Sequence, residues 1–342
     1  MAIINKTKIL IVALVAIISG GGALVWNYFL GGKARPLAKG QFVVAPKETA
    51  KAEEKIQKEY LAIIKSEDPA AGVRQAVAAT GNLDFIAPGQ TILIKPNMNT
   101  GLPYPASTNP EVLREVIRLV KARGAGRIIL ADRSYQGVSL TPLSIKNMKE
   151  SGIYKVAEEE GAEIIGLEEG EWERVRPEGA THWRNGFRVP KILFSVDHII
   201  SLPVLKTHSI ADYTMALKNS VGLVSPKDMA ELHTAGKDKF MAMLAEINLA
   251  FRPSLFIMDG TRAFISGGPN QGEAVDSRVY LASADPVAID IAGLNILKQY
   301  GAKLRENNPW NQGQIRRALE LNLNAKKQEE IESLVQAKLK SI

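Results

Sequence analysis

Short apolar runs alternate with an amphipathic helical pattern through the middle of the chain. ILIKPN at 92–97, RIILAD at 127–132 and AEIIGL at 162–167 are typical of buried strands. Between the first two runs, residues 109–124 repeat apolar side chains at helical spacing, and Asn109 can cap the helix that this spacing predicts. A chain that alternates in this way forms a mostly parallel sheet, because the crossover helices cover both of its faces.

We therefore expect an α/β fold with a mostly parallel, Rossmann-like sheet and helices on both faces. Residues 168–190 interrupt the alternation with turn residues between short runs, which predicts a small β-hairpin insertion. The predicted organisation has four parts. The first is a membrane anchor at 1–32, and the second, at 33–68, is a juxtamembrane linker that includes an amphipathic helix at 47–66. The α/β domain at 69–311 and a charged C-terminal helix at 312–342 follow.

The amino-terminal run at 9–30 carries no charged residue. At 1.5 Å per residue, about 22 residues span roughly 33 Å as a helix, which is enough to cross the hydrocarbon core of a bilayer. Trp26 and Tyr28 lie where interfacial aromatic residues are found. This predicts a single-pass membrane anchor with an extracytoplasmic domain. A cleaved signal peptide is the alternative, although the run is long for one and has no small-x-small site at its end.

Composition excludes several classes of protein. There is no cysteine, so disulfides, zinc–thiolate sites and cysteine nucleophiles are excluded. The net charge of +7 is not concentrated in a basic stripe with interleaved aromatic residues, so we expect no nucleic-acid partner. That charge suits a membrane surface or an anionic small molecule.

Seven segments, taken in order, resemble the family known as domain of unknown function 362. They are ILIKPN at 92–97, 108–125, LADRS at 130–134, LPVLKTH at 202–208, MALKNSVGLV at 215–224, 257–272 and 281–294. The resemblance spans about 70–300 and implies an α/β fold. Some members of the family carry ferredoxin-type Fe–S modules. This chain has no cysteine, so we expect no thiolate-bound cluster here.

Polar residues follow the predicted strands, and ligands of open parallel sheets bind beyond the carboxyl ends of the strands. Three groups of candidates result. The predicted catalytic residues are His208, Lys206 and Asp132. The predicted ligand-binding residues are Lys95, Asn97, Lys218, Asn219, His233, Gly268 and Gly272. The predicted metal ligands are Asp259 and Asp290, whose oxygens would favour Mg²⁺ or Mn²⁺.

Two functions are consistent with these residues. In the first, the chain is an enzyme whose lysines hold an anionic substrate while His208 transfers protons and the aspartates bind a metal or act as bases. In the second, it is a non-catalytic module that captures an anionic ligand or a partner at the membrane surface. In a third, structural possibility these polar groups satisfy one another. Asp290, on or beside an apolar helical face, needs a partner, which a lysine such as Lys95 or Lys218 or a bound metal would supply.

Overall fold

The computed structural model describes residues 34–39, 41–44, 58–134 and 142–341. The predicted anchor at 9–30 lies outside these residues, as does most of the helix predicted over 47–66. Within the described ranges, no helix is both long and apolar enough to cross a membrane.

The strands are numbered in chain order. They are β1 (Arg35–Leu37), β2 (Leu61–Lys65), β3 (Thr91–Lys95), β4 (Arg127–Asp132), β5 (Glu163–Gly166), β6 (Trp172–Pro177), β7 (Phe187–Pro190), β8 (His198–Ser201), β9 (Val204–His208), β10 (Asp212–Tyr213), β11 (Leu255–Phe264), β12 (Ala274–Val275) and β13 (Val279–Ser283).

The helices are numbered in the same way. They are α1 (Pro69–Ala79), α2 (Pro110–Ala122), α3 (Ser144–Glu150), α4 (Ile153–Glu159), α5 (Ala216–Asn219), α6 (Pro226–His233), α7 (Lys237–Ile247), α8 (Pro286–Gln299), α9 (Gly313–Glu320) and α10 (Gln328–Leu339). Helix α2 starts where predicted, because the side chain of Asn109 accepts a hydrogen bond from the backbone N–H of Glu111.

Ten strands form one mixed sheet whose centre is parallel. The order β9-β11-β8-β3-β4-β5 is parallel throughout. Strand β10 pairs antiparallel with β9, β12 and β13 pair antiparallel with β11, and β2 pairs antiparallel with β13. The α/β prediction is confirmed, and the parallel part of the sheet is the part that the strand–helix alternation predicts. Strands β10, β12 and β13 follow the central strands directly, without a crossover helix, whereas β2 precedes α1 and β3 in the chain.

Both faces of the sheet are covered by helices. On β3, Ile92 and Ile94 pack into a core with α1, α2 and α4, whereas Leu93 packs on the opposite face with α6 and α7. The same alternation separates Leu281 from Ala282 on β13, because successive side chains of a strand point to opposite faces. The prediction of helices on both faces is therefore confirmed.

The hairpin insertion is also confirmed, since β6 and β7 pair antiparallel within residues 168–190. Strand β1 joins it as a third strand, parallel to β6. The structure differs in detail from two expectations about the flanking segments. Residues 61–65 are a strand and not the end of an amphipathic helix, because Leu61, Ala62 and Ile63 are buried along the edge of β13. Residues 312–342 contain two helices, and Ile315 and Val335 place both against the main core.

Gly72 marks the closest approach of α1 to the sheet. A methyl group at this position would collide with the ring of Tyr280, which is fully buried. We predict that Gly72→Ala lowers the free energy of unfolding by about 1–3 kcal/mol despite the better helix propensity of alanine, because overpacking costs that much. Urea unfolding of the variant measures the change.

The matched control is Gly170→Ala, where the added methyl group would meet only the Leu167 carbonyl at ordinary contact distance. An unchanged or higher stability of Gly72→Ala would contradict the described packing of α1 on the sheet.

Candidate functional site

A cavity of about 260 Å³ lies beyond the carboxyl ends of the central parallel strands. The chain runs from β3 outwards to β4 and β5 and then returns to β8, on the other side of β3. The order of the strands therefore reverses between β3 and β8, and Lys95 pairs with Ser201 at that point. Open α/β sheets bind their ligands at such a reversal, because the loops diverge there and leave a crevice.

Seven of the predicted site residues line this cavity. They are Lys95, Asn97, Asp132, His208, Lys218, Asn219 and His233. These side chains come from the ends of β3, β4 and β9, from α5 and from α6. Lys206, Asp259, Asp290, Gly268 and Gly272 are not among the residues that line it.

A buried ion pair forms the floor of the cavity. The ammonium of Lys95 lies 2.8 Å from Asp132 Oδ2, and it also donates to the Pro96 carbonyl oxygen at 2.7 Å. The other carboxylate oxygen of Asp132 accepts a hydrogen bond from the backbone N–H of Arg133 at 2.7 Å. Burial raises the pKa of Asp132 to about 6 and lowers the pKa of Lys95, because both charges lose their hydration.

Gly222 covers this ion pair. A Cβ atom at position 222 would collide with Asp132 Oδ1 and lie 2.8 Å from the Lys95 ammonium. Only glycine lets the backbone of residues 220–223 come this close to the pair. The ion pair and Gly222 together set the position of the segment that carries Lys218.

Arg133 adds a second cation at the floor. Its guanidinium donates to the carbonyl oxygens of Val224 at 2.7 Å, Ser134 at 3.0 Å and Val221 at 3.2 Å. Burial lowers the pKa of Arg133, although an arginine stays charged at neutral pH. Its position directly after Asp132 at a strand end marks Arg133 as a candidate in the sequence, although the three groups of predicted site residues do not include it.

Lys218 is the third cation, and it is half-buried in the wall of the cavity. Among the described residues, no carboxylate forms an ion pair with it. Burial, together with the positive charges of Lys95 and Arg133, lowers the pKa of Lys218 to about 8. Three cationic side chains therefore face a single carboxylate, that of Asp132, across the described part of the cavity.

His208 is held as a neutral imidazole. Its Nδ1 accepts hydrogen bonds from the backbone N–H groups of Ile210 and Ala211, both at 3.1 Å. Burial and the nearby charges of Lys218 and Lys206 lower the pKa of His208 to about 2. The remaining ring nitrogen, Nε2, consequently carries the proton, so His208 is a hydrogen-bond donor.

Asparagine side chains connect the segments around the cavity. Asn97 Nδ2 donates to Asn219 Oδ1 at 3.1 Å, and Asn219 Nδ2 donates to the Ser201 hydroxyl at 2.9 Å. At the rim, Asn99 Nδ2 donates to Asn270 Oδ1 at 3.0 Å. The first two bonds join the ends of β3 and β8 to α5. The third bond joins the loop after β3 to the 266–273 loop, which connects β11 and β12.

Three predicted ligand-contacting residues have structural roles. Lys206 lies within β9, not after a strand, and its buried ammonium donates to the carbonyl oxygens of Ala106 at 2.6 Å and Pro105 at 3.3 Å. Gly268 and Gly272 permit close backbone contacts, because a Cβ on either one would collide with the carbonyl oxygen of Thr207 or Ser266, respectively. From that loop, Pro269 and Asn270 line the cavity.

The two predicted metal ligands lie outside the cavity and have protein partners. Asp259 lies inside β11, and its Oδ1 accepts from the N–H and hydroxyl of Thr261 at 2.8 and 2.6 Å. Asp290 accepts from the N–H groups of Ala216 at 2.7 Å and Leu217 at 3.1 Å, so its partner is the start of α5 and not a lysine. Within the described ranges, no group of three or more His, Asp or Glu residues could hold a metal ion.

A second cavity, of about 140 Å³, lies at the opposite end of the sheet, where β13 ends beside the start of β11. Its lining includes three phenylalanines, Arg252 and Asp285. The Asp285 carboxylate already accepts from the N–H groups of Val287 at 2.8 Å and Ala288 at 2.9 Å, and so caps the start of α8. The concentration of cations therefore distinguishes the larger cavity as the candidate site.

Comparison with known proteins places this chain in a family. The model of the family described as a domain of unknown function (DUF362) matches residues 92–295. The thylakoid-associated protein sll1697 of Synechocystis sp. is 31% identical over 234 residues, which are 67% of this chain and 70% of that protein. A crystal structure of a Thermotoga maritima protein aligns with a TM-score of 0.41 and 11% identity, over 69% of this chain and 59% of that one.

The ion pair at the floor gives a stability prediction. Asp132→Asn leaves the buried ammonium of Lys95 without its counter-charge, and we predict a loss of about 3–5 kcal/mol in the free energy of unfolding. The exposed pair Arg127–Glu163 is the control, because Glu163→Gln should cost about 1 kcal/mol or less. Urea unfolding compares the two variants, and equal small losses would contradict the description of Lys95–Asp132 as a buried pair.

Proposed function

The chain belongs to the DUF362 family, and we propose that it binds a small molecule with an oxyanion group in the cavity at the carboxyl ends of β3, β4 and β9. The observation that carries the proposal is the excess of positive charge there. Lys95, Arg133 and Lys218 face one carboxylate, Asp132. A carboxylate or phosphate group of the ligand would supply the missing negative charge.

Lys218 is the principal contact in this proposal. Lys95 is already paired with Asp132, and the donor groups of Arg133 are directed at backbone carbonyls. The ammonium of Lys218, without a carboxylate partner among the described residues, is the cation that an incoming oxyanion can pair with. His208 supports it as a neutral donor through Nε2–H.

The geometry supports binding better than acid–base catalysis. Protonation of His208 at Nδ1 would break its hydrogen bonds with the N–H groups of Ile210 and Ala211. Both carboxylate oxygens of Asp132 already accept hydrogen bonds, from Lys95 and from the backbone of Arg133. These two residues therefore hold the cavity in shape and set its charge, and neither is placed to exchange a proton with a ligand.

We also propose that residues 9–30 attach the chain to a membrane, with the described domain on the extracytoplasmic side. The support is the uncharged length of this run and the name of the relative, a thylakoid-associated protein.

Loss of Lys218 tests the binding proposal. We predict that the protein binds inorganic phosphate, and that Lys218→Met raises the Kd at least tenfold, because a charged hydrogen bond contributes about 1.5–3 kcal/mol. Isothermal titration calorimetry at low ionic strength measures both Kd values. Lys298→Met, at an exposed lysine outside the cavity, is the control and should leave the Kd unchanged. Equal affinities of wild type and Lys218→Met would contradict the proposal.

The lowered pKa of Lys218 predicts how binding depends on pH. The ammonium is charged below a pKa of about 8 and becomes neutral above it. The affinity for an anion whose own charge is constant in this range, such as sulfate, should therefore fall as the pH rises from 7 to 9. In Lys218→Arg the guanidinium stays charged, so the affinity should change much less over the same range. The same decline in both proteins would show that another group controls binding.

Substitutions that introduce charged residues into the apolar run at 9–30 test the membrane proposal. Ile17→Arg combined with Leu24→Asp should release the expressed full-length chain from the membrane pellet, because each charge near the bilayer centre costs about 2.5–3.5 kcal/mol. Carbonate extraction followed by immunoblotting measures the distribution. Ile17→Leu with Leu24→Ile is the apolar control and should stay in the pellet. Retention of the doubly charged variant would contradict a membrane-spanning role for residues 9–30.

A further inference from the structure

Five apolar side chains help to line the candidate cavity. They are Met98, Ile210, Val221, Met229 and Pro269. They come from the loops after β3 and β9, from the turn after α5, from α6 and from the 266–273 loop. A site for a bare inorganic anion would gain nothing from five apolar side chains from five separate segments.

Most of the charged and apolar lining is deeply buried, including Met98 at 5% and Met229 at 4% exposure, whereas Ile210 is exposed. Lys95, Asp132 and Arg133 are almost completely buried, with exposed fractions of 2%, 0% and 4%. Ile210 lies at the mouth with 57% of its surface exposed. Among the described residues, the exposed large hydrophobic side chains are Ile210 and Leu102, and of these two Ile210 lines the cavity.

The exposure of Ile210 does not come from a loosely held loop. Its N–H donates to His208 Nδ1 at 3.1 Å, and its carbonyl oxygen accepts a hydrogen bond from the guanidinium of Arg305. The following residues continue directly into β10, which is paired with β9. The backbone therefore holds the Ile210 side chain in a defined place beside the cationic cavity, where a bound ligand would cover it.

We infer that the ligand is an amphipathic oxyanion, with a carboxylate or phosphate head and a single unbranched apolar chain. The inference rests on the proposed function, because the head occupies the oxyanion position beside Lys218. The chain extends along Met98 and Met229 towards the mouth, where Ile210 covers it. Methionine side chains suit such a ligand, because they adapt their shape to an apolar partner.

Two ligand series test the inference on the full-length protein in detergent. One runs from inorganic phosphate through methyl, butyl and hexyl phosphate, and the other runs from acetate through butyrate to hexanoate. Calorimetry should show the Kd falling by up to about fourfold for each added methylene, since a buried methylene contributes about 0.8 kcal/mol. If affinity rises with chain length only among the phosphates, the site selects a phosphate head group. If affinity rises with chain length in both series, the site accepts either a phosphate or a carboxylate head group.

Ile210→Ser separates the apolar contact from the charged one. This variant should bind inorganic phosphate like the wild type but lose at least half of the gain from butyl to hexyl phosphate. Leu102→Ser is the matched control, because Leu102 is also exposed, at 38%, but does not line the cavity. It should keep the full dependence on chain length.

The outcomes distinguish this inference from the proposed function. If inorganic phosphate and acetate bind but longer chains bring no gain, the amphipathic ligand is wrong and oxyanion binding stands. If Ile210→Ser keeps the full gain, the placement of the apolar chain is wrong. If no member of either series binds, the proposed function itself fails.

Discussion

The buried ion pair between Lys95 and Asp132 is the interaction on which the candidate site depends. It joins the carboxyl ends of two neighbouring parallel strands, and its burial is possible only because each charge compensates the other. Gly222 packs directly on the pair, so the pair also fixes the position of the segment that carries Lys218 relative to the ends of the strands. Arg133 follows Asp132 and is fixed on the carbonyls of that same segment. One interaction thereby positions all three cations of the cavity.

This arrangement leaves a positively charged cavity that is also lined by apolar side chains, of which Ile210 is exposed at the mouth. Neutral His208 and the paired Asp132 add shape and hydrogen bonding, and neither cancels the charge of Lys218. A ligand that satisfies the site must bring a negative head and cover an apolar surface near Ile210. Binding by charge complementarity and apolar burial together is a common design of small-molecule sites, in which a few polar groups fix the orientation.

The sequence predicts the parallel core well, because strand–helix alternation is a local pattern and the carboxyl ends of parallel strands converge on one edge. Lys95 and Lys218 could therefore be assigned to one cavity. Lys206 could not be excluded, because its burial depends on the loop whose carbonyls it binds, near residue 105. Residues 61–65 have helical spacing but become a strand, since the edge of β13 offers a partner from more than 200 positions away. Asp290 was recognised as needing a partner, but its partner, the start of α5, is a tertiary contact.

A crystal structure of the protein grown with tungstate would test the central claim most directly, because the anomalous signal of tungsten locates a tetrahedral oxyanion without ambiguity. The account predicts one anion in the cavity beyond β3, β4 and β9, with an oxygen about 2.7–3.0 Å from the Lys218 ammonium. Tungstate bound at other surfaces, with this cavity free of anion at saturating concentration, would contradict it.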